Sequence, residues 1–306
     1  MQLSNLITDF LEYLKQERNV SELTIRNYTH YLNRFLEFVR STNLRQTSNI
    51  YPKDIDLNLI RKYRLYLSKW TDPKTKEPLK KVTQNYFMIA LRVFLRYLAK
   101  INMQTLPAEK VELRENDSKI PLKILKETQL RSLLSAPSMS SKGGLRDRAI
   151  LETLFSTGLR VSELVELDRD TINLQGGKFS IFGKGGRNRE ISLSDSACEW
   201  LEKYLAVRQD TFKPLFIRFQ GKVDLTDSGE AMRLTSRSVE RIVEKYVKKI
   251  GIPIKATPQT LRHCFAVDLL INGTDVQSVQ KMLGHFNAST TQIYSRSVNS
   301  CFLDNE

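Results

Sequence analysis

Apolar side chains recur at helical spacing along most of this chain, and this periodicity restricts the fold more than any other feature. Leu3, Ile7, Leu11 and Leu14 fall on one face of a helix, three or four residues apart. Three similar stripes follow within the first hundred residues. Since an amphipathic helix must bury its apolar face, we expect residues 1–102 to form a four-helix domain. The four helices are expected near residues 3–14, 22–39, 57–70 and 87–98.

The rest of the chain is also mainly helical, with one change of period. Residues 103–120 are polar and contain Pro107, so we expect them to link two domains. Residues 178–193 follow a strand, Gly-rich turn, strand pattern, which predicts a β-hairpin. The expected fold class is therefore mainly α (α+β), with a mixed helical domain and a small antiparallel sheet in residues 121–306. Its other elements include a helix over 160–170, a short strand over 214–219 and a helix over 257–274.

The chain carries a large excess of positive charge, with 48 Lys and Arg residues against 34 Asp and Glu residues. The net charge of +14 is uneven, because residues 1–100 hold 18 basic and 9 acidic side chains. A basic surface of this size favours a polyanionic partner, either a nucleic acid or an anionic membrane. The charge alone is equally compatible with a basic protein that has no such partner.

Basic side chains on the third and fourth predicted helices favour DNA as the partner. Arg92, Arg96 and Lys100 recur every four residues and form one ridge on the fourth helix. Arg61 and Arg64 add positive charge to the third helix. A single ridge of this kind is usually a solvated helix face, but here two neighbouring helices share the bias. We therefore expect these five side chains to contact DNA phosphates.

Several classes of protein are excluded by what the sequence lacks. No apolar run approaches the roughly 20 residues of a membrane-spanning helix, and no membrane is expected among the partners. Three widely spaced cysteines form neither a disulfide framework nor a metal-binding pair, which is typical of the cytoplasm. The chain has no cluster of metal ligands, no GxxxxGK[ST] loop and no GxSxG motif. We therefore expect no metal and no cofactor.

Five side chains of the second half carry the remaining chemical signal, and each alone would be unremarkable. They are Arg160, Lys184, Arg262, His285 and Tyr294. The motifs that hold them are TGLRVSELVELD (157–168), FGKGGRNREI (182–191), TPQTLRHCFAVDLL (257–270) and LGHFNASTTQIYS (283–295). In order and spacing these motifs resemble the tyrosine recombinases, the family of phage integrases and Xer-type resolvases. The resemblance covers about 125–298, extends more weakly over 1–100, and is strongest to the Xer subgroup.

The resemblance implies a helical core-binding (SAM-like) domain followed by a catalytic domain that binds a DNA phosphodiester. Arg160 and Arg262 would clamp the phosphate, because a planar guanidinium binds two phosphate oxygens and stays charged. His285 would add a third donor to the charge that develops during attack. Glu163, one helical turn after Arg160, would orient that arginine, although such a pair is also an ordinary helix ion pair.

The same resemblance implies a covalent mechanism. Tyr294 would attack the phosphate and form a 3′-phosphotyrosine, while Lys184 at the hairpin tip would protonate the leaving 5′-oxygen. Because the ester bond energy is kept in the protein–DNA link, the strands can be rejoined without ATP. Arg187 and Arg189 of the same hairpin are expected to contact DNA.

One position departs from the family pattern. The family has His, or sometimes Lys, three residues before the second arginine, whereas this chain has Gln259. Glutamine donates a hydrogen bond but exchanges no proton near neutral pH, so the base that the tyrosine requires is not accounted for at this position. His263, next to Arg262, is expected to be structural because it faces another side of the helix.

The resemblance also implies binding partners, and two alternative functions remain open. The partner is double-stranded DNA, bound by a dimer at each site and by a homotetramer when two sites meet, with a second recombinase or a DNA translocase as further possibilities. One rival is a type IB topoisomerase-like enzyme that relaxes DNA as a monomer. The other is a DNA-binding regulator on a degraded recombinase scaffold, of which Gln259 would be the first sign.

Overall fold

The computed structural model describes residues 2–42, 50–114, 122–182, 188–221, 228–284 and 294. The chain divides into two compact units, Met1–Lys119 and Ile120–Glu306. In the described ranges, no helix combines the length and the apolar character needed to cross a membrane. The mainly helical class predicted from the sequence is confirmed, since the described part of the chain contains eleven α-helices and one two-stranded antiparallel sheet.

The N-terminal unit contains the four predicted helices. They are α1 (Leu3–Gln16), α2 (Glu22–Ser41), α3 (Leu57–Lys69) and α4 (Lys81–Lys100). Ser21 caps α2 by accepting a hydrogen bond from the backbone N–H of Thr24, and Asp56 caps α3 in the same way through Leu59. The apolar faces meet in one core, where the ring of Phe10 packs edge-on against Phe94 at 5.5 Å between centroids.

The segment that follows α4 differs from the linker expected over 103–120. Ala108 and Val111 are buried in the core of the N-terminal unit, and a short 3-10 helix spans Ala108–Lys110. The apolar side chains of this polar-looking stretch therefore extend the helical domain. Residues 115–121, the later part of the expected linker, lie outside the described residues.

The C-terminal unit contains seven helices and the hairpin within the described residues. They are α5 (Glu127–Ser135), α6 (Lys142–Thr157), α7 (Val161–Val165), β1 (Lys178–Phe182), β2 (Asn188–Ser192), α8 (Asp195–Ala206), α9 (Ser236–Lys249), α10 (Pro258–Ile271) and α11 (Val276–Leu283). The two strands pair antiparallel with Ser180 opposite Glu190, so the predicted hairpin strands are confirmed. Ser194, Thr235 and Thr257 cap α8, α9 and α10.

Two local predictions are wrong. The helix expected over 160–170 is only the five-residue α7, which is followed by a 3-10 turn at Arg169–Thr171. The strand expected over 214–219 does not form; Pro214 and Ile217 make isolated bridges with Asp168 and Arg233 instead. Tyr294 itself is described, whereas the residues on both sides of it lie outside the described part of the chain.

Helix α6 lies at the centre of the C-terminal unit and packs against α5, α8, α9, α10 and β2. Ala149, Ile150, Leu151 and Leu154 are each fully buried, so the helix is covered on several faces. Gly158 caps its C-terminal end with a φ of +58°, the left-handed conformation that favours glycine. This ending directs the chain into α7 and brings Arg160 next to α10.

Candidate active site

Arg262 is the most deeply buried charged side chain of the site, with 1% of its surface exposed. It lies one turn into α10, a helix that starts with the Thr257 cap and Pro258 at the first position. Its Nη1 donates to the carbonyl of Gly158 at 2.5 Å and its Nη2 to the carbonyl of Leu283 at 2.7 Å. Burial, and then the charge of Arg160, lowers its pKa to about 10, so the side chain stays protonated near neutral pH.

Glu163 binds Arg160 through both oxygens of its carboxylate. The backbone N–H of Arg160 donates to Glu163 Oε2 at 2.8 Å, and its guanidinium Nη1 donates to Oε1 at 3.0 Å. The Nη2 of Arg160 also donates to the carbonyl of Gly284 at 3.3 Å. About a third of the Arg160 side chain, 36%, remains exposed, so this guanidinium faces solvent from an anchored position.

Arg189 joins the same cluster from the hairpin, although the sequence analysis predicted a DNA contact for it. Its Nη2 donates to Glu163 Oε2 at 2.8 Å and its Nη1 to the carbonyl of Leu283 at 2.6 Å. The side chain is 12% exposed, and burial lowers its pKa. A signal for this position did exist: Arg189 lies two residues before the buried Ile191, on the same face of β2.

The corner after α11 is shared by all three arginines. Leu283 presents its carbonyl to Arg189 and Arg262, and Gly284 presents its own to Arg160. Gly284 has a φ of +65°, and a Cβ at this position would lie 2.0 Å from Nη1 of Arg189. Only glycine combines this backbone conformation with so close an approach of a guanidinium.

Tyr294 is buried beside α10, with 1% of its surface exposed. It packs with Ala266, Val267, Val279 and Leu283. Burial raises the pKa of its hydroxyl, and the charges of Arg262 and then Arg160 oppose this shift. The hydroxyl therefore lies within the electrostatic influence of the two arginines predicted to bind phosphate.

His263 contacts the Tyr294 hydroxyl directly, which the sequence analysis did not foresee. Its Nδ1 lies 2.9 Å from Tyr294 Oη, within hydrogen-bond distance, and the two rings are 5.4 Å apart. Burial, followed by the charge of Arg262, lowers the pKa of His263 to about 4, so the imidazole is neutral near neutral pH. No pattern in the sequence pairs these two residues, because 31 positions separate them.

The remaining predicted catalytic residues are placed differently. Gln259 is exposed in the first turn of α10. Lys184, Arg187 and His285 lie outside the described residues. The structure therefore brings together Arg160, Glu163, Arg262 and Tyr294 of the predicted set, and adds Arg189 and His263.

The basic side chains predicted to contact DNA in the N-terminal unit are partly engaged with neighbours. Lys100 lies 3.5 Å from Glu17 and 4.4 Å from the centre of the Tyr13 ring, and Arg96 lies 3.5 Å from Glu109. The guanidinium of Arg64 donates to the carbonyl of Glu112. Arg92 is half-buried and Arg61 is exposed. These exposed ion pairs are weak, so a phosphate can compete for Arg96 and Lys100.

The cluster as a whole favours an anion that carries oxygen atoms. Arg160 and Arg189 share the Glu163 carboxylate, whereas Arg262 donates only to the neutral carbonyls of Gly158 and Leu283. Three positive charges against one negative charge leave the cluster with a net positive charge. Positive donors fixed in a partly dry site stabilise negative charge without having to reorganise. A neutral imidazole and a phenol lie next to them.

Comparisons with known families agree with this chemistry. The model of the phage integrase family matches residues 123–300, and the model of the phage integrase N-terminal SAM-like domain matches residues 7–102. Together they cover most of both structural units.

Individual relatives match almost end to end. The chain is 34% identical over 292 residues to tyrosine recombinase XerC of Pelotomaculum thermopropionicum, covering 94% of this chain and 92% of that protein. It is 35% identical over 297 residues to tyrosine recombinase XerD of Listeria innocua, covering 96% of this chain and 94% of that protein.

Among solved structures, XerH bound to a palindromic difH substrate superposes with a TM-score of 0.71 at 22% identity, over 97% of this chain and 83% of XerH. A lambda integrase dimer bound to a core site gives 0.69 at 18% identity, over 95% and 97%.

Proposed function

The chain belongs to the phage integrase family and is a tyrosine site-specific recombinase of the Xer and integrase type, and we propose how its residues divide the reaction. The arrangement of Arg160, Arg189 and Arg262 around Glu163, with the Tyr294 hydroxyl nearby, supports this division most strongly. In it, Arg160 and Arg262 bind the scissile phosphate, while Glu163 and Arg189 hold Arg160 and the Leu283 corner in position.

Cleavage consists of one displacement at phosphorus. The Tyr294 oxygen forms a bond to phosphorus, and the bond from phosphorus to the 5′-oxygen breaks. Lys184 supplies the proton to the leaving 5′-oxygen, and His285 adds a donor to the phosphate oxygens. The product is a 3′-phosphotyrosine and a free 5′-hydroxyl. Rejoining runs the same steps backwards with the 5′-hydroxyl of a second strand.

The rest of the proposal concerns DNA and assembly. XerH and lambda integrase were solved bound to DNA sites, which supports double-stranded DNA as the substrate here. We assign DNA core binding to the N-terminal unit, whose core includes Ala108 and Val111, and catalysis to residues 121–306, with a dimer on each site and a tetramer for strand exchange. A second recombinase or a DNA translocase would regulate it, and the reaction takes place in the cytoplasm. Chromosome segregation is one biological role that fits a Xer-type enzyme.

Covalent trapping tests the proposal. DNA fragments of the source genome that the chain binds are first selected, and nicked suicide duplexes are made from them. The chain is incubated with these duplexes, and the mixture is run on a denaturing gel. A recombinase yields a protein–DNA adduct at one defined position in each bound duplex. An adduct spread over unrelated sequences, together with relaxation of any supercoiled plasmid, would indicate a topoisomerase. DNA binding without an adduct would indicate a regulator.

Glu163→Gln is expected to lower the cleavage rate at least 10-fold and to reduce the free energy of unfolding by about 2–3 kcal/mol, because two arginines lose charge-assisted hydrogen bonds. Single-turnover cleavage and urea unfolding measure the two effects. Asp168→Asn is the matched control, since Asp168 also binds two cations, Arg233 and Lys213. The control should lose stability but keep the cleavage rate. Equal cleavage by both variants would contradict the role of Glu163.

Gln259→His is expected to keep or raise the cleavage rate, because it introduces the titratable group that the family has at this exposed position. Gln259→Ala serves as the comparison that removes the amide altogether. Rates are measured by trapping on the same suicide duplex. A large fall in the rate of the histidine variant would show that this site depends on glutamine.

A further inference from the structure

The Tyr294 hydroxyl and the His263 imidazole form a pair inside the C-terminal unit, with Tyr294 Oη 2.9 Å from His263 Nδ1. We propose that His263 is the catalytic base of this chain: it accepts the hydroxyl proton of Tyr294 during strand cleavage and returns it during rejoining. The inference rests on the proposed function, in which Tyr294 is the nucleophile.

The geometry suits proton transfer. A general base must lie within hydrogen-bond reach of the proton that it removes, and 2.9 Å meets that requirement without any rearrangement. Tyr294 is fully buried and His263 half-buried, so bulk water has little access to the pair. The backbone of α10 holds His263 directly after Arg262, whose guanidinium is fixed at both ends by carbonyls. Base and phosphate ligand are thus positioned by one rigid element.

The charge state also suits a base. The groups that act electrostatically on the pair are Arg262 and Arg160, and both are cationic. Burial, and then the charge of Arg262, lowers the pKa of His263 and keeps the imidazole neutral in the free protein. Nδ1 therefore has a lone pair for the tyrosine proton when Nε2 carries the ring hydrogen. A phosphate that binds these arginines offsets their charge and makes the imidazole more basic at the step where the proton moves.

Because glutamine occupies position 259, another residue is required to accept the Tyr294 proton. Gln259 and His263 are four residues apart on α10 and therefore share one face of the helix. Glutamine exchanges no proton near neutral pH, whereas an imidazole one turn further along the helix does. The proton balance of cleavage then closes: the Tyr294 proton moves to His263 Nδ1, and the leaving 5′-oxygen takes a different proton from Lys184.

The decisive variants separate proton transfer from hydrogen bonding. In His263→Asn the side-chain oxygen takes the place of Nδ1, so it still accepts a hydrogen bond from Tyr294 but takes no proton. In His263→Ala both functions are lost, and the cavity admits free imidazole. His30→Asn is the matched control, since His30 is exposed on α2. Single-turnover cleavage of the suicide duplex and DNA affinity are measured for each variant, with and without added imidazole.

We expect His263→Asn and His263→Ala to cleave about 10²-fold more slowly or worse, with DNA affinity unchanged, and His30→Asn to match the unmodified chain. Imidazole should raise the rate of His263→Ala in proportion to its concentration. The inference is overturned if His263→Asn cleaves within a few fold of the unmodified chain, or if imidazole leaves His263→Ala unchanged. The first result would mean that the histidine only positions Tyr294.

Failure of the inference can be told apart from failure of the proposed function. The unmodified chain and Tyr294→Phe are assayed on the same duplex. If the unmodified chain forms no adduct, or if Tyr294→Phe forms as much, Tyr294 is not the nucleophile and both proposals fall. If the adduct depends on Tyr294 but not on His263, only the present inference falls.

Discussion

Tyr294→Phe is expected to abolish the covalent protein–DNA adduct and to leave DNA affinity almost unchanged. The variant removes one oxygen atom, which in the proposed mechanism forms the bond to phosphorus. Affinity comes instead from phosphate contacts spread over the protein, and none of them needs this hydroxyl. A denaturing gel measures the adduct, and a gel-shift titration at fixed salt concentration measures the affinity.

A second tyrosine provides the control for that variant. Tyr246 is also buried in the C-terminal unit, and its hydroxyl donates to Asp147 at 2.9 Å. Tyr246→Phe therefore loses a buried hydroxyl and its hydrogen bond without touching the arginine cluster, and it should still form the adduct. An adduct that survives in Tyr294→Phe would assign the nucleophile to another residue.

Arg262→Lys is expected to reduce the cleavage rate at least about 10²-fold, the usual effect of removing one preorganised donor from a reacting oxyanion. Lysine keeps the charge but has no planar fork, so it cannot bind the carbonyls of Gly158 and Leu283 together. An acceptor left unpaired inside the protein costs about 1–3 kcal/mol, and we expect a loss of unfolding free energy in that range. Suicide-duplex cleavage and urea unfolding measure the two quantities.

Arg208 allows the loss of catalysis to be separated from the loss of stability. Its side chain is completely buried, and its Nη1 donates to the carbonyls of Pro214 and Leu215 at 2.8 Å each. Arg208→Lys should therefore be destabilised to a similar degree while its cleavage rate stays close to that of the unmodified chain. If both variants cleaved equally well at a temperature where both are folded, Arg262 would have only a structural role.

Features that depend on local sequence could be predicted. Ser21, Ser194 and Thr257 cap helices, because a hydroxyl before an amphipathic stretch satisfies free N–H groups of the first turn. The two hairpin strands could be predicted because the spacing of apolar residues changes from helical to strand-like at β1 and β2. The pairing of Arg160 with Glu163 followed from their spacing of three on one helix.

Features that depend on distant contacts could not be predicted in the same way. The hydrogen bond between His263 and Tyr294 joins positions 31 residues apart, and helical periodicity indicates only that His263 and Arg262 face different directions. The alternation along β2 places Arg189 on the same face as Ile191, but its partner could not be predicted, because the carbonyl that it binds belongs to Leu283, 94 residues further along the chain. Ala108 and Val111 are too few, in a polar stretch, to reveal that the segment packs against the helices.

The corner at Leu283 and Gly284 also bears on how sequences of this kind can be recombined in the laboratory. Three arginines from distant segments of the chain bind the consecutive carbonyls of Leu283 and Gly284, and a Cβ at position 284 would collide with Arg189. A hybrid protein can take α11 and the Leu283–Gly284 corner from one relative and the hairpin from another. Arg189 then fits against the corner only if the backbones of the two parents match there. Crossover points in gene shuffling are therefore best chosen before Gly158 or between the two structural units.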